Sequence, residues 1–118
     1  LVVQGPRAGA AETVRIGFAS PLSGPQGHYG RDNQNGAQLA IEELNRRGLR
    51  IGGKPVRFEL VAADDQADPR VGTLVAQRLV DSGIRGMVGH FNSGVTIPTS
   101  GIYHAAGIPQ LSVSTHTK

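Results

Sequence analysis

The chain has 118 residues, of which 38% are hydrophobic, so it can build one modest core and not two domains. Its formal charge is +3, and aromatic residues make up only 4% of it. A nucleic-acid surface needs clustered basic side chains with aromatic platforms, so this composition argues against a nucleic-acid partner. The chain contains no cysteine, which excludes disulfides, thiolate nucleophiles and Cys-ligated zinc.

Residues 1–13 are expected to be a flexible N-terminal tail or a signal-peptide remnant, and residues 14–118 a single domain. Ala8, Gly9 and Ala10 follow a short apolar start and have the small-x-small form of a signal peptidase site. A disordered tail is the alternative interpretation of these residues. No apolar run in the sequence is long enough to span a bilayer.

Apolar, β-branched runs alternate with segments of helical periodicity. The predicted strands are 14–20, 56–63, 86–90 and 108–113, and residues 49–55 are predicted to form a turn. The predicted helices are 31–47, 69–82 and 93–104. In the second helix Asp68 is the expected N-cap before Pro69, and the expected buried face is Val71, Leu74, Val75 and Leu79.

This order, β-α-β-α-β-α-β, predicts an α/β fold in which helices cover both faces of a parallel sheet. Ligands of such sheets bind beyond the carboxyl ends of the strands. The candidate loops therefore begin near Pro21, Asp64, Phe91 and Ser114.

The loop 91–94 lies between a strand and a helix, where backbone N–H groups and the helix dipole suit a carboxylate. Ser93 offers a hydroxyl to such a ligand, or it caps the helix. Hydroxyl groups also follow the last strand, and their alternative role is to solvate a loop. They belong to Ser112, Ser114, Thr115 and Thr117.

Neither a metal site nor an enzyme is indicated by the polar residues. Asp68 has its capping role, while Asp64 and Asp65 are expected to begin a solvated loop. The four histidines lack the spacing of a zinc motif, and GPQGHYG lacks the ending of a P-loop. No nucleophile, base and orienting group are recognisable together, so catalysis is not expected and no cofactor is predicted.

The motifs LSGP, NGA, AIEELN and DDQADP occur in this order, followed by GH and IY, within residues 14–117. This set resembles the branched-chain amino acid (leucine, isoleucine and valine) binding proteins, which are type I periplasmic solute-binding proteins of ABC transporters. The resemblance implies one lobe of that two-lobed fold, the N-terminal one, in a periplasmic or extracytoplasmic location. It also implies an amino acid or small amide as ligand and a transporter permease as partner of the full-length protein.

Carried over by motif, the resemblance puts Ser93 at the ligand's α-carboxylate and Tyr29 over the ligand. It puts Ser114 and His116 at the ligand's main-chain groups. His116 departs from the usual threonine, so Thr115 or Thr117 is the alternative for that role. Ala67 and Asn92 stand where some relatives carry a disulfide.

The chain lacks the second lobe that closes over the ligand, so we expect weak or undetectable binding by this lobe alone. Its last strand should be an uncovered edge, which predicts homo-oligomers that form through residues 110–113. Two alternative functions remain open. One is a ligand-sensing receptor or regulatory domain, and the other is a truncated lobe that serves as an oligomeric structural unit.

Overall fold

The computed structural model describes residues 12–112. In chain order the elements are β1 (Glu12–Ser20), α1 (Gly27–Arg46), β2 (Arg50–Ile51), β3 (Lys54–Asp64), α2 (Pro69–Asp81), β4 (Gly86–Gly89), α3 (Ser93–Ala105) and β5 (Gln110–Leu111). The strands form one sheet in the order β2-β3-β1-β4-β5. The predicted strands and helices are all present, and the α/β fold class is confirmed.

The central strand β1 pairs in parallel with β3 on one side and with β4 on the other, and β4 pairs in parallel with β5. The register sets Ser20 beside Asp64 and Ala19 beside Gly89. These three strands therefore end at the same edge of the sheet. The loops that follow them meet there, as predicted for a parallel sheet.

The segment predicted as a turn contains a short strand, which corrects the expectation of an all-parallel sheet. β2 pairs antiparallel with the start of β3, Arg50 opposite Pro55 and Ile51 opposite Lys54. Gly52 and Gly53 join the two strands with φ values of 60° and 82°. A two-residue hairpin turn requires two consecutive positive φ angles. The glycine pair in the sequence could therefore have predicted the β2–β3 hairpin.

Side chains alternate between the two faces of the sheet. On one face α1 packs against Phe58 and Leu60 of β3 and Ile16 of β1. An apolar cavity of about 370 Å³ extends from there to Val88 and Leu111. The opposite face holds the larger buried cluster, to which α2 and α3 contribute. Its members are Ala19, Val75, Ala76, Leu79, Ile84, Met87 and Tyr103.

The prediction that Leu74 belongs to the buried face of α2 is wrong. Leu74 of α2 is 62% exposed, whereas Val75, Ala76 and Leu79 are buried. The buried stripe of α2 also includes Gly72, and Leu74 lies on the opposite side of the helix at 3.6 residues per turn. The small residues of α2 allow α3 to approach closely, which moves the buried stripe away from Leu74.

Several element boundaries differ from the predictions by a few residues. β1 begins at Glu12 and α1 at Gly27, both earlier than predicted, and β4 ends at Gly89. β5 covers Gln110–Leu111, while Val113 lies outside the described residues. Within residues 12–112, none of the helices combines the length and the apolar composition that crossing a membrane requires.

Candidate functional site

A cavity of about 580 Å³ opens at the edge of the sheet where β1, β3 and β4 end. It is lined by the loops after β1 and β3 and by the residue that precedes α3. The lining residues are Pro21, Ser23, Gly24, Pro25, Gln26, Gln66, Ala67 and Asn92. Three of the four loops predicted from the sequence are thus brought together, and the fourth, which begins at Ser114, lies outside the described residues.

Asp64 connects the loop after β3 to the loop after β1. Its carboxylate accepts hydrogen bonds from Leu22 N at 2.9 Å, Gln66 N at 2.9 Å and Ser23 Oγ at 2.6 Å. Partial burial raises the pKa of Asp64, but the hydrogen bonds from Ser23 and from the two backbone groups outweigh it and leave the pKa below its ordinary value. The charged carboxylate therefore fixes both loops at the rim of the cavity.

The first turn of α1 sits directly against the loop after β1. Gly30 is buried there, and a Cβ atom on it would overlap the carbonyl oxygen of Pro21. Only glycine allows this close approach. The neighbouring Tyr29, in the same turn of α1, is half exposed.

Tyr29 stacks against Phe91 from the loop after β4, with ring centroids 5.8 Å apart and ring planes 13° apart. The ring centroid of His28 lies 4.0 Å from that of Tyr29, with the two ring planes tilted by 37°. A near-parallel offset pair is a favourable aromatic arrangement. The predicted site residue Tyr29 is thereby joined to the loop that leads into Ser93.

α3 begins at Ser93, and Asn92 is its N-cap residue. The alternative role predicted for Ser93, a helix cap, therefore falls to the preceding residue. The Asn92 side chain makes no capping hydrogen bond. Its Nδ2 donates to Gln26 Oε1 at 2.8 Å, so it connects the loops after β1 and β4. Ala67 and Asn92 line the same cavity.

Asp65 is fully buried, which corrects its assignment to a solvated loop. Its backbone N–H donates to Ser20 O at 3.1 Å, continuing the pairing of β1 and β3 by one residue. Its Oδ1 accepts from Ala67 N at 2.9 Å. The side chain points into the protein because its Oδ2 lies 2.7 Å from Nδ1 of the buried His90.

His90 and Tyr103 complete a buried polar chain with Asp65, and sequence reasoning missed it. His90 Nε2 lies 2.9 Å from the Tyr103 hydroxyl, and all three side chains are fully buried. Burial, and secondarily the charge of Asp65, raise the pKa of Tyr103 well above its ordinary value. The sequence feature that could have indicated this network is a histidine at the end of an apolar strand, because such a residue is buried and a buried polar side chain needs hydrogen-bond partners.

Two of the five predicted site residues, Tyr29 and Ser93, lie within the described part of the chain, in the first turns of α1 and α3, and neither is among the residues that line the cavity. The other three, Ser114, Thr115 and His116, lie outside the described residues. Within residues 12–112, no cluster of three or more His, Cys, Asp or Glu side chains is arranged to hold a metal ion.

The fold is an α/β lobe with an open cavity at the carboxyl edge of its sheet. The chain belongs to the periplasmic binding protein family, whose model matches residues 13–118. The Leu/Ile/Val-binding protein homolog 2 of Brucella abortus is 38% identical to it over 102 residues, which make up 86% of this chain and 27% of that protein. The leucine-, isoleucine-, valine-, threonine- and alanine-binding protein of Pseudomonas aeruginosa is 36% identical over 105 residues, or 89% of this chain and 27% of that protein.

Solved structures agree with these matches. The branched-chain amino acid substrate-binding protein LivJ of Streptococcus pneumoniae, in complex with isoleucine, matches with a TM-score of 0.80 and 34% identity, over 91% of this chain and 30% of that one. A substrate-binding protein of Desulfitobacterium hafniense in complex with leucine matches with a TM-score of 0.72 and 33% identity, over 90% of this chain and 30% of that one.

The resemblance predicted from the sequence is confirmed: the chain belongs to the type I periplasmic binding proteins and matches a fragment, the N-terminal lobe, of relatives that are named as branched-chain amino acid binding proteins. It spans only 27% to 30% of the length of these relatives. The relatives are solute-binding proteins and not enzymes.

Proposed function

We propose that this chain is the N-terminal ligand-binding lobe of an extracytoplasmic solute-binding protein that delivers an amino acid to an ABC transporter. One observation carries the proposal: α3 begins at the carboxyl edge of the sheet, directly after a loop whose Phe91 stacks on the half-exposed Tyr29. A helix N-terminus attracts a carboxylate, and an aromatic pair beside it suits an apolar side chain. Solved relatives hold isoleucine and leucine.

In this proposal Ser93 and the N-terminus of α3 receive the α-carboxylate, and Tyr29 lies over the ligand. The main-chain groups of the ligand are assigned to Ser114 and to His116, with Thr115 or Thr117 as the alternative to His116. The basis for these last assignments is the family resemblance alone.

Binding by this lobe alone should be weak. A single lobe leaves the bound amino acid open to water on one side, and hydrogen bonds in an open site gain little from a low dielectric. We therefore expect millimolar binding at best, and a micromolar dissociation constant in titration calorimetry would contradict this expectation.

The experiment is a titration of the ¹⁵N-labelled 118-residue chain with leucine, followed by NMR. We expect the amides of residues 91–95 and 29 to shift in fast exchange, and Ser93→Ala to weaken binding about threefold to tenfold. Ser100→Ala is the matched control, because Ser100 is an exposed serine of the same helix whose hydroxyl bonds only to Ile97 O among the described residues. If amino acids shift amides elsewhere in the chain but not these, the proposed site is wrong. An absence of any shift is the undetectable binding that a single lobe allows, and the uptake test on the full-length protein then decides the function.

A second proposal concerns self-association through residues 110–113. Within residues 12–112, β5 is an outer strand of the sheet, and its Leu111 is 66% exposed beside an apolar cavity. An open strand edge next to apolar surface favours pairing with another chain. This observation also favours the alternative function, an oligomeric structural unit.

Sedimentation of the chain with and without amino acids tests this second proposal. We expect a concentration-dependent dimer that Leu111→Lys converts to monomer. Leu39→Lys is the control, since Leu39 is 65% exposed on α1 and should leave the dimer intact. A wild-type monomer at high concentration would contradict self-association, whereas a species that grows with one amino acid would favour a rebuilt cleft.

The location and the transporter partner belong to the full-length protein. Osmotic-shock fractionation of the native host should recover that protein outside the cytoplasm, and deletion of its gene should reduce uptake of the bound amino acid. Recovery with the cytoplasmic fraction would favour the sensing or regulatory alternative.

A further inference from the structure

The chain of buried side chains beneath the candidate site has one consistent protonation pattern. Asp65 Oδ1 is already used by Ala67 N, so Oδ2 is left for His90 Nδ1 at 2.7 Å. A carboxylate only accepts, which requires a proton on Nδ1. His90 Nε2 then accepts from the Tyr103 hydroxyl at 2.9 Å.

Other protonation states leave a partner unsatisfied. A neutral ring with its proton on Nε2 would turn a lone pair of Nδ1 toward the Asp65 carboxylate. A doubly protonated ring would donate to the Tyr103 oxygen, and the described residues offer the phenol proton no other acceptor. The burial and the nearby carboxylate that raise the pKa of Tyr103 keep this phenol a donor.

The hydrogen-bonded side chains of Asp65, His90 and Tyr103 connect three elements around the loop that precedes α3. Asp65 follows β3, His90 directly precedes Phe91, and Tyr103 is on α3. Thr96 Oγ1 also donates to His90 O at 2.9 Å, so the segment 90–96 is closed at both ends. The loop 91–92 and Ser93, the first residue of α3, are thus held in place by the hydrogen bonds of the His90 ring and by the hydrogen bond from Thr96 to His90 O.

We infer that Asp65, His90 and Tyr103 are positioning residues, which orient the loop 91–93 and the N-terminus of α3 for the ligand carboxylate. This inference rests on the proposed function for its ligand. If these residues had a merely structural role, loss of a hydrogen bond among them would lower the stability of the fold. It would not change the conformation of the loop 91–93 more than the loss of another buried hydroxyl does.

The comparison uses two variants that each remove one buried hydroxyl from α3. Tyr103→Phe deletes the donor to His90. Thr99→Val deletes a hydroxyl that, within residues 12–112, bonds only to Val95 O and Thr96 O of its own helix. We expect Tyr103→Phe to shift the amides of residues 91–93 clearly and to weaken leucine binding about threefold to tenfold. Thr99→Val should change the leucine affinity less than about twofold.

Long-range ¹H–¹⁵N correlation of the histidine rings gives a second measurement that needs no variant. We expect the His90 ring of the wild-type chain to carry its proton on Nδ1 and to accept at Nε2. A proton on Nε2 would overturn the inference, because the hydrogen bonds on which it rests would then be absent, so the inference stays falsifiable even if Tyr103→Phe does not fold.

The two proposals fail in different ways. If deletion of the full-length gene leaves amino acid uptake unchanged, the proposed function fails, while the amides of 91–93 in the two variants still test the positioning role. If both variants shift these amides and change leucine binding equally, the positioning role is wrong and the function stands.

Discussion

Asn45 on α1 holds both backbone groups of Phe58 on β3. Its Nδ2 donates to Phe58 O at 2.9 Å, and its Oδ1 accepts from Phe58 N at 2.7 Å. β2 pairs with β3 only at Lys54 and Pro55, so Phe58 lies beyond the reach of that neighbour. The amide of Asn45 takes the place of a neighbouring strand and satisfies a part of the sheet edge.

Asn45→Ala should therefore destabilise the fold by about 1–3 kcal/mol, because it leaves a partly buried backbone donor and acceptor without their partners. Urea denaturation of the two proteins measures the difference. Asn35→Ala removes an exposed asparagine from the same helix and should change the free energy of unfolding little. An equal effect of both substitutions would contradict the edge-capping role of Asn45.

Two glycines in helices predict opposite effects of substitution by alanine. A Cβ on Gly72 of α2 would overlap Cγ1 of the buried Val95, whereas a Cβ on Gly36 of α1 would meet nothing within 4 Å. We expect Gly72→Ala to cost about 1–3 kcal/mol through overpacking between α2 and α3. Gly36→Ala should stabilise the protein by about 0.5–1 kcal/mol, because it restricts the unfolded chain.

Thermal unfolding followed by circular dichroism checks the glycine pair. A stabilising effect of Gly72→Ala would mean that α2 and α3 can move apart without cost. A destabilising effect of Gly36→Ala would mean that its surface meets a partner in solution, such as a second copy of the chain.

Acid should weaken the fold partly through Asp64. Its pKa lies below the ordinary 3.8, so its contribution to stability is fully present above 3.8 and is lost as the pH falls through the lower, folded-state pKa. Asp64→Asn removes this titration while its single oxygen can still accept from Leu22 N and Gln66 N. The variant should be less stable than the wild type at neutral pH, and the difference should shrink in acid.

Denaturation at a series of pH values measures this slope. Asp32→Asn makes the same change of charge at an exposed position of α1. If both variants lose the acid dependence to the same degree, net charge and not the hydrogen bonds of Asp64 is the cause.

The sequence predicts the elements well because their signals are local. The Asp68 side chain accepts from Arg70 N at 2.8 Å and caps α2 ahead of Pro69, as its position in the sequence indicates. β1 and β3 are found where apolar, β-branched runs predict them. Tyr29 and Ser93 lie at the starts of the helices that follow two neighbouring strands, β1 and β4. That placement follows from parallel strand order, which the alternation of elements already implies.

What the sequence does not predict depends on contacts between distant residues. Asp65 is three residues from a capping aspartate and looks like part of the same solvated loop, yet it is fully buried against His90, 25 positions along the chain. Leu74 looks apolar and helical, but the approach of α3 to Gly72 decides which side of α2 is covered. Pairings of this kind need the sheet order first, which single-residue patterns do not contain.

Alkali should weaken the fold through Tyr103. Burial first and the Asp65 charge second raise its pKa above the ordinary 10.0, so the folded protein keeps the phenol proton that the unfolded chain releases. The contribution is complete below pH 10.0 and is lost as the pH rises above that value. Tyr103→Phe has no phenol to titrate, and its stability should fall less steeply above that pH.

At neutral pH the same variant should be less stable than the wild type by about 1–3 kcal/mol, because His90 Nε2 loses its buried donor. The two stability curves should therefore converge as the pH rises, which urea denaturation at alkaline pH measures. Tyr29→Phe is the matched control, since Tyr29 is half exposed, and it should follow the wild-type curve. A constant difference between wild type and Tyr103→Phe would mean that the phenol titrates alike in the folded and unfolded states, against its burial beside Asp65.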